Sequence, residues 1–301
     1  MRRLVRTARA YRSAQEASRA THASGAGGSS RADGVEPGPA VVGLVPTMGF
    51  LHEGHLSLAR RARSECDLVV MSVFVNPTQF GPEEDLESYP RDLGRDVAVA
   101  EEAGVDVVFH PSAAEMYAPG HATWVDVEGL TEHLCGASRP GHFRGVTTVV
   151  SKLFAVCEPD RAYFGSKDAQ QALVIRRMAR DLDQAVEVIV CPTMRESDGL
   201  AMSSRNAYLT PAERAQAPVL RRALVEAEVS ISGGERDPRV VVAAVVGRLA
   251  EAPSASVDYV EVVSTTDLRP TDRIDGEVLV AAAIRLGATR LIDNVVVSPP
   301  G

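Results

Sequence analysis

Long apolar runs are missing from this 301-residue chain. None approaches the roughly 18–20 residues a membrane-spanning helix needs. Val278–Ile284 is among the longest, and Arg285 stops it. The arginine-rich N-terminus also lacks an apolar core, so no secretory signal is expected there. Cysteine is scarce: Cys66, Cys135, Cys157 and Cys191 show no close pairing. That argues against a disulfide framework or a zinc site and for reduced core thiols in a cytoplasmic protein. Positive charge is not in excess either. With 32 Lys and Arg against 40 Asp and Glu the net charge is −8, which speaks against broad binding to nucleic acid or anionic membranes. It leaves room for a local basic pocket. Lysine itself is nearly absent: Lys152 and Lys167 are the only two, and every other basic residue is arginine. The skew fits a GC-rich genome, since Ala, Gly and Val are also plentiful. It singles out each surviving lysine. There is no internal repeat.

What is present is ordinary globular composition, 45% hydrophobic and 24% charged, at a length that suits two domains. Residues 1–20 read as a short helix, and 21–40, small and rich in Gly, Ser and Pro, as a flexible linker. From Val41 apolar strands alternate with helical periods. Strands are expected at Val41–Val45, Leu68–Val75, Val105–Phe109, Arg161–Phe164 and Val186–Val190. Helices are expected at Gly54–Glu65, Arg91–Ala103, Arg144–Cys157 and Asp168–Arg180. Such alternation predicts an α/β domain over 41–193, a doubly wound parallel sheet with ligands at the carboxyl ends of its strands. After Pro192 the texture changes. Thr210-Pro211-Ala212-Glu213 starts a helix, Arg239–Glu251 is a second, and Val257–Val263, Val278–Ile284 and Arg290–Val297 are strands. This predicts a smaller α+β domain over 194–301.

Four segments carry chemistry. In Pro46-Thr47-Met48-Gly49-Phe50-Leu51-His52-Glu53-Gly54-His55 a strand ends, a glycine turn follows and a helix begins. A helix N-terminus offers free N–H groups and a positive dipole end to phosphate, two imidazoles can donate beside it, and Gly54 lets a flat base approach. An H-x-x-H could instead be a metal pair or two capping histidines. Met202-Ser203-Ser204-Arg205 offers two hydroxyls and a planar guanidinium fork for phosphate oxygens, or a solvated turn. Gly165-Ser166-Lys167-Asp168 follows a strand at the same sheet edge; Lys167 supplies a point charge, and Asp168 either binds ribose hydroxyls or caps the helix. Asn76 and Gln79, after another strand, would face the same crevice and suit a hydroxy acid, or form an ordinary polar loop.

Taken in order, P-T-M-G-x-L-H-x-G-H, F-V-N-P-x-Q-F, R-P-G-H-F-x-G-V, F-G-x-K-D-x-Q-Q and R-E-x-D-G-L-A-M-S-S-R-N resemble the pantothenate synthetase (pantoate–β-alanine ligase) family, within the HIGH-motif nucleotidyltransferases. The resemblance runs from about Val41 to Leu209 and more loosely beyond. It implies a Rossmann-like domain with a small lid, a cytoplasmic homodimer, and a ligase that converts ATP, (R)-pantoate and β-alanine to pantothenate, AMP and diphosphate through a pantoyl adenylate, with Mg²⁺ on the phosphates. Another adenylyltransferase of the superfamily is the alternative. So is a non-catalytic nucleotide-binding protein, which would be expected to have lost a histidine, Lys167 or Arg205. The resemblance also implies roles. His52, His55, Lys167, Ser203, Ser204 and Arg205 hold the phosphates, Gly54 and Met194 lie against adenine, and Gly165 and Asp168 hold ribose. Gln79 and Gln171 bind pantoate, Pro46 and Met48 line its dimethyl group, and Asn76 and Arg139 complete that pocket. Asp96 is a candidate near Mg²⁺–ATP. Three features depart from the family pattern. Phe50 replaces a small residue and is expected to tighten the mouth of the pocket. Ser166 replaces a glutamate and leaves the support of Lys167 open. The linker is unusually long and is expected to be dispensable.

Overall fold

A computed structural model describes residues 40–82 and 84–300; the helix expected over 1–20 and the linker expected over 21–40, Ala40 apart, lie outside them. Five strands, β1 (Val42–Thr47), β2 (Leu68–Val73), β3 (Val107–Phe109), β4 (Arg161–Gly165) and β5 (Glu187–Cys191), form one sheet in the order β3-β2-β1-β4-β5. Every pairing is parallel. Side chains alternate across the pleat, and the two faces bury different sets. Leu44, Leu68, Val70, Ala162 and Phe164 pack with residues of α5 (His142–Cys157) and α6 (Ala169–Asp181). Val45, Val69, Met71, Val73 and Tyr163 pack with α1 (Glu53–Glu65) and α2 (Leu93–Glu102). This is the expected doubly wound, Rossmann-like sheet. Strand order reverses between β1 and β4, and such a reversal opens a crevice at their carboxyl ends.

The C-terminal part is a three-stranded antiparallel sheet, β6 (Ala255–Ser264), β7 (Val278–Leu286) and β8 (Thr289–Val297). One face packs with helices α8 (Val219–Ser232) and α9 (Pro238–Leu249), which follow the short α7 (Pro211–Gln216). Val263, Leu279 and Ala281 of the other face, with Leu268, join the core cluster of the first sheet. The helix expected from Thr210 begins there, with the capping box of Thr210 and Glu213, but it is two helices. Pro218 has no N–H to donate to the carbonyl four residues back, so the ladder breaks and α8 starts beyond it. Two short helices, α3 (Ala113–Met116) and α4 (Leu134–Ser138), carry too few residues for a visible period. No helix among the described residues is long and apolar enough to cross a membrane.

Candidate active site

The crevice begins with the turn after β1. Gly49 (φ 87°) and Phe50 (φ 48°) are both left-handed, and a buried carboxylate holds them there. Asp96 accepts the backbone N–H of Phe50 and of Leu51, each at 2.7 Å. A Cβ on Gly49 would stand 2.9 Å from Asp96 Oδ2. Hydrogen bonds to a charged group stabilise by about 1.5–3 kcal/mol each, which offsets the strain of a left-handed phenylalanine. Asp96 is 1% exposed and does not line the cavity. Both its oxygens serve the turn, which gives Asp96 a structural part. Phe50 departs from expectation too: it lies under the Arg95 guanidinium at 5.3 Å and outside the cavity lining.

His52 and His55 then cap α1 against each other. His52 Nδ1 accepts the N–H of Gly54 at 3.1 Å, and His55 Nδ1 accepts the N–H of His52 at 3.3 Å. Histidines thus play both parts of a capping box, and the capping reading of the sequence holds in addition to their place in the crevice. A Cβ on Gly54 would meet the His52 ring at 2.9 Å, so its glycine is required by the cap itself. With both Nδ1 atoms accepting, each neutral ring carries its proton on Nε2. Burial, with Lys167 adding to it, lowers His52 to about 4. Burial, then the neighbouring His52 and Lys167, lowers His55 well below the usual histidine value. The expected result is that neither ring titrates between pH 5.5 and 8, as followed by NMR of the ring protons; a midpoint near 6.5 for either would contradict it. The linkage has a definite sign. A histidine whose pKa falls on folding contributes stability at pH values above the unfolded value and loses it as pH drops toward the folded one. The melting temperature should therefore decline from pH 6.5 toward 4.

The principal cavity, about 240 Å³, lies at the β1–β4 reversal. It gathers every predicted binding residue except Asp96. After β1 come Pro46, Met48, His52, Gly54 and His55; after β2, Asn76 and Gln79; before α5, Arg139. After β4 come Gly165, Lys167, Asp168 and Gln171, and after β5, Met194, Ser203, Ser204 and Arg205. Asp168 makes no side-chain cap to α6, so the capping alternative falls away. Not all of these groups are free for a ligand. Asn76 is buried and donates to Gln79 Oε1 and to the Gly145 carbonyl, each at 3.1 Å, while accepting from the Tyr117 hydroxyl at 2.8 Å. It orients Gln79, whose Nε2 also lies 2.9 Å from Met48 Sδ. Gly145 is required here, since a Cβ would stand 2.3 Å from the Thr78 carbonyl oxygen.

The two arginines are held by acids that sequence gave no reason to pair with them. Arg139 donates to both oxygens of Glu84 at 2.7 and 2.6 Å and to the Gln79 carbonyl at 3.2 Å. Its remaining nitrogen lies 3.1 Å from His142 Nε2. His142 donates from Nδ1 to the Gln79 carbonyl at 2.8 Å, and burial, then Arg139, lowers it to about 3. Arg139 therefore braces the Gln79 turn with its whole fork. Arg205 donates from Nε and one terminal nitrogen to Asp85 at 3.0 and 2.8 Å and lies over Tyr89 at 5.7 Å. Its other terminal nitrogen has no partner among the described residues. Lys167, by contrast, has no carboxylate within ion-pair distance among those residues. His142, Tyr89, Glu84 and Asp85 went unassigned in the sequence; His142 alone had a signal, inside the R-P-G-H-F block.

A family model for pantoate-beta-alanine ligase matches residues 23–296. The chain is 60% identical over 257 residues to a pantothenate synthetase of Acetivibrio thermocellus, covering 85% of this chain and 92% of the relative. It is similar to the crystal structure of pantothenate synthetase from Thermus thermophilus, with 52% identity, a TM-score of 0.83, and 86% and 94% of the two chains covered. A pantoate-beta-alanine ligase from Francisella tularensis, complexed with beta-gamma ATP and beta-alanine, is 34% identical with a TM-score of 0.71, over 85% and 89% of the chains. The match spans both sheets and the crevice between β1 and β4, and this chain belongs to the pantoate–beta-alanine ligase family, as an ATP-using ligase.

Proposed function

We propose that the crevice joins (R)-pantoate to β-alanine in two steps, through an enzyme-bound pantoyl adenylate. One observation carries the reading: neutral Nε2–H imidazoles at a helix N-terminus, an ammonium without a carboxylate partner among the described residues, and an amide-and-apolar end line one cavity at the strand-order reversal. In the first step a pantoate carboxylate oxygen bonds to the α-phosphorus of ATP, and the bond to the bridging oxygen breaks to release diphosphate. A carboxyl group with a pKa near 4 is already ionised at neutral pH, so no base is needed. The chain's part is alignment and charge stabilisation. His52 and His55 donate from Nε2 to phosphate oxygens, and Lys167 adds a point charge. Ser203, Ser204 and the free edge of Arg205 complete the grip. Gly54 and Met194 bound the adenine, and Gly165 and Asp168 the ribose. Gln79 and Gln171 bind pantoate, with Pro46 and Met48 against its methyl groups. In the second step the amine nitrogen of β-alanine bonds to the acyl carbon, the bond from that carbon to the phosphate oxygen breaks to release AMP, and the proton lost by the nitrogen passes to water.

Magnesium fits this site only as a companion of the substrate. Among the described residues no three acidic, histidine or cysteine side chains gather as a metal site, and Asp168 is the one carboxylate on the cavity wall. Mg²⁺ commonly keeps its waters and binds through substrate phosphates, which suits a wall of cationic and hydroxyl donors. The same proposal takes 41–193 as the binding domain and 194–301 as a smaller lid that brings Ser203–Arg205 over the nucleotide, in a cytoplasmic homodimer. Four free, buried cysteines are compatible with a reducing compartment. The test is exchange of labelled pyrophosphate into ATP without β-alanine. Exchange that requires pantoate is expected. Folded protein that shows none would overturn the adenylate.

A further inference from the structure

The support of Lys167, left open by Ser166, comes from the other sheet. Lys167 lies in a 3₁₀ turn, Ser166–Asp168, whose N-cap makes no side-chain hydrogen bond. Asn294 of β8 donates from its one amide nitrogen to the carbonyls of Ser166, at 3.0 Å, and of Lys167 itself, at 2.9 Å. The Ser166 hydroxyl adds a bond to the Thr193 hydroxyl at 2.9 Å. We infer that Asn294 is a positioning residue for Lys167: it fixes the carbonyl of the lysine and so the direction in which its stem leaves the turn. The inference rests on the assignment of Lys167 to the triphosphate made above.

The physical need is clear from the side chain. A lysine is a compact charge on a flexible four-carbon stem, and its ammonium has no carboxylate partner among the described residues to hold it. Only the backbone end can be rigid. A shift of about 1 Å in a positioning group can cost on the order of 10²-fold in rate. Neighbours on a strand point to opposite faces, and β8 uses both. Asp293, on the helix-covered face, binds Arg195 through both oxygens at 2.6 and 3.0 Å, eight residues before Ser203. Asn294, on the other face, binds the lysine turn. Adjacent residues of one strand thus hold the two loops that grip the nucleotide.

The experiment compares single-turnover pyrophosphate release, with pantoate and Mg²⁺–ATP but no β-alanine, at a temperature where circular dichroism shows each variant folded. Asn294→Ala should slow the step by about 10-fold. Asn294→Asp, nearly the same shape, should slow it further, because a carboxylate cannot donate and would face two carbonyl oxygens. In a Lys167→Ala background, Asn294→Ala should add no further loss, and the KM for pantoate should stay near the parental value. A rate within two-fold of parental for Asn294→Ala would overturn the inference. So would the same 10-fold loss repeated in the Lys167→Ala background, since independent structural damage is additive. Lys167→Ala at the parental rate would overturn the site reading and this inference together; a crippled Lys167→Ala beside an unimpaired Asn294→Ala would overturn this inference alone.

Discussion

Lys167→Arg should lower pantoate-dependent pyrophosphate exchange by on the order of 10²-fold, while Lys152→Arg leaves it within two-fold of parental. The chain replaces lysine by arginine nearly everywhere, so the two exceptions make a controlled comparison. Lys152 lies beyond the cavity wall, its ammonium over the Tyr117 ring at 5.9 Å, where a guanidinium stacks as well or better. Lys167 lines the cavity at the C-terminal end of β4, close enough to depress both histidines. Both arginines of the wall come with carboxylates that hold their forks, Glu84 and Asp85. Among the described residues no such acid pairs with 167, and a broader, more weakly hydrated guanidinium would have to find its place without one. Exchange by Lys167→Arg within a few-fold of parental, with an unchanged melt, would refute the argument.

Arg195→Leu should cost about 3–5 kcal/mol of stability, because it strands a charge in the core. The Asp293 side chain is 2% exposed, and Arg195 is its salt-bridge partner. Removing the guanidinium also unties the Gly199 carbonyl, 3.1 Å from the same nitrogen. The loss should appear in urea unfolding as a lower midpoint with an unchanged slope. Arg195→Leu combined with Asp293→Leu should recover a large part of it, since an apolar pair of similar volume removes the buried charge altogether. A single variant within about 0.5 kcal/mol of parental, the usual range for surface substitutions, would show that water reaches Asp293 and that the pair is not buried in effect.

The legible part of the molecule is what short stretches of chain determine. The alternation of strands and helices fixes the sheet, and the Pro46–His55 segment compresses strand end, turn and cap into ten residues. What stays hidden is what depends on pairing at a distance. Asp96 enters as a candidate only through the family resemblance; its two backbone partners lie 45 and 46 residues away. Arg139 and Arg205 read as free cations because their acids come from a loop with no motif of its own. Asn76 reads as facing substrate, whereas a tyrosine 41 residues on claims its oxygen. Asn294 has no local signal at all. Pro218 was readable as a breaker, but the strength of the start at Thr210 concealed that a second helix follows it.

The apolar seam between the two sheets sets a limit on how the molecule can breathe. Val263, Leu268, Leu279 and Ala281 share one core cluster with Leu44, Phe164 and the α5 side chains. Exposing a buried valine or leucine to water costs about 1.5–3 kcal/mol, so a hinge that swung the C-terminal sheet clear would wet several at once. Sliding along the seam keeps them covered. A shear of packed surfaces therefore costs less here than a hinge, and the loops on the two sides of the mouth are already bridged by Arg205 and Asp85.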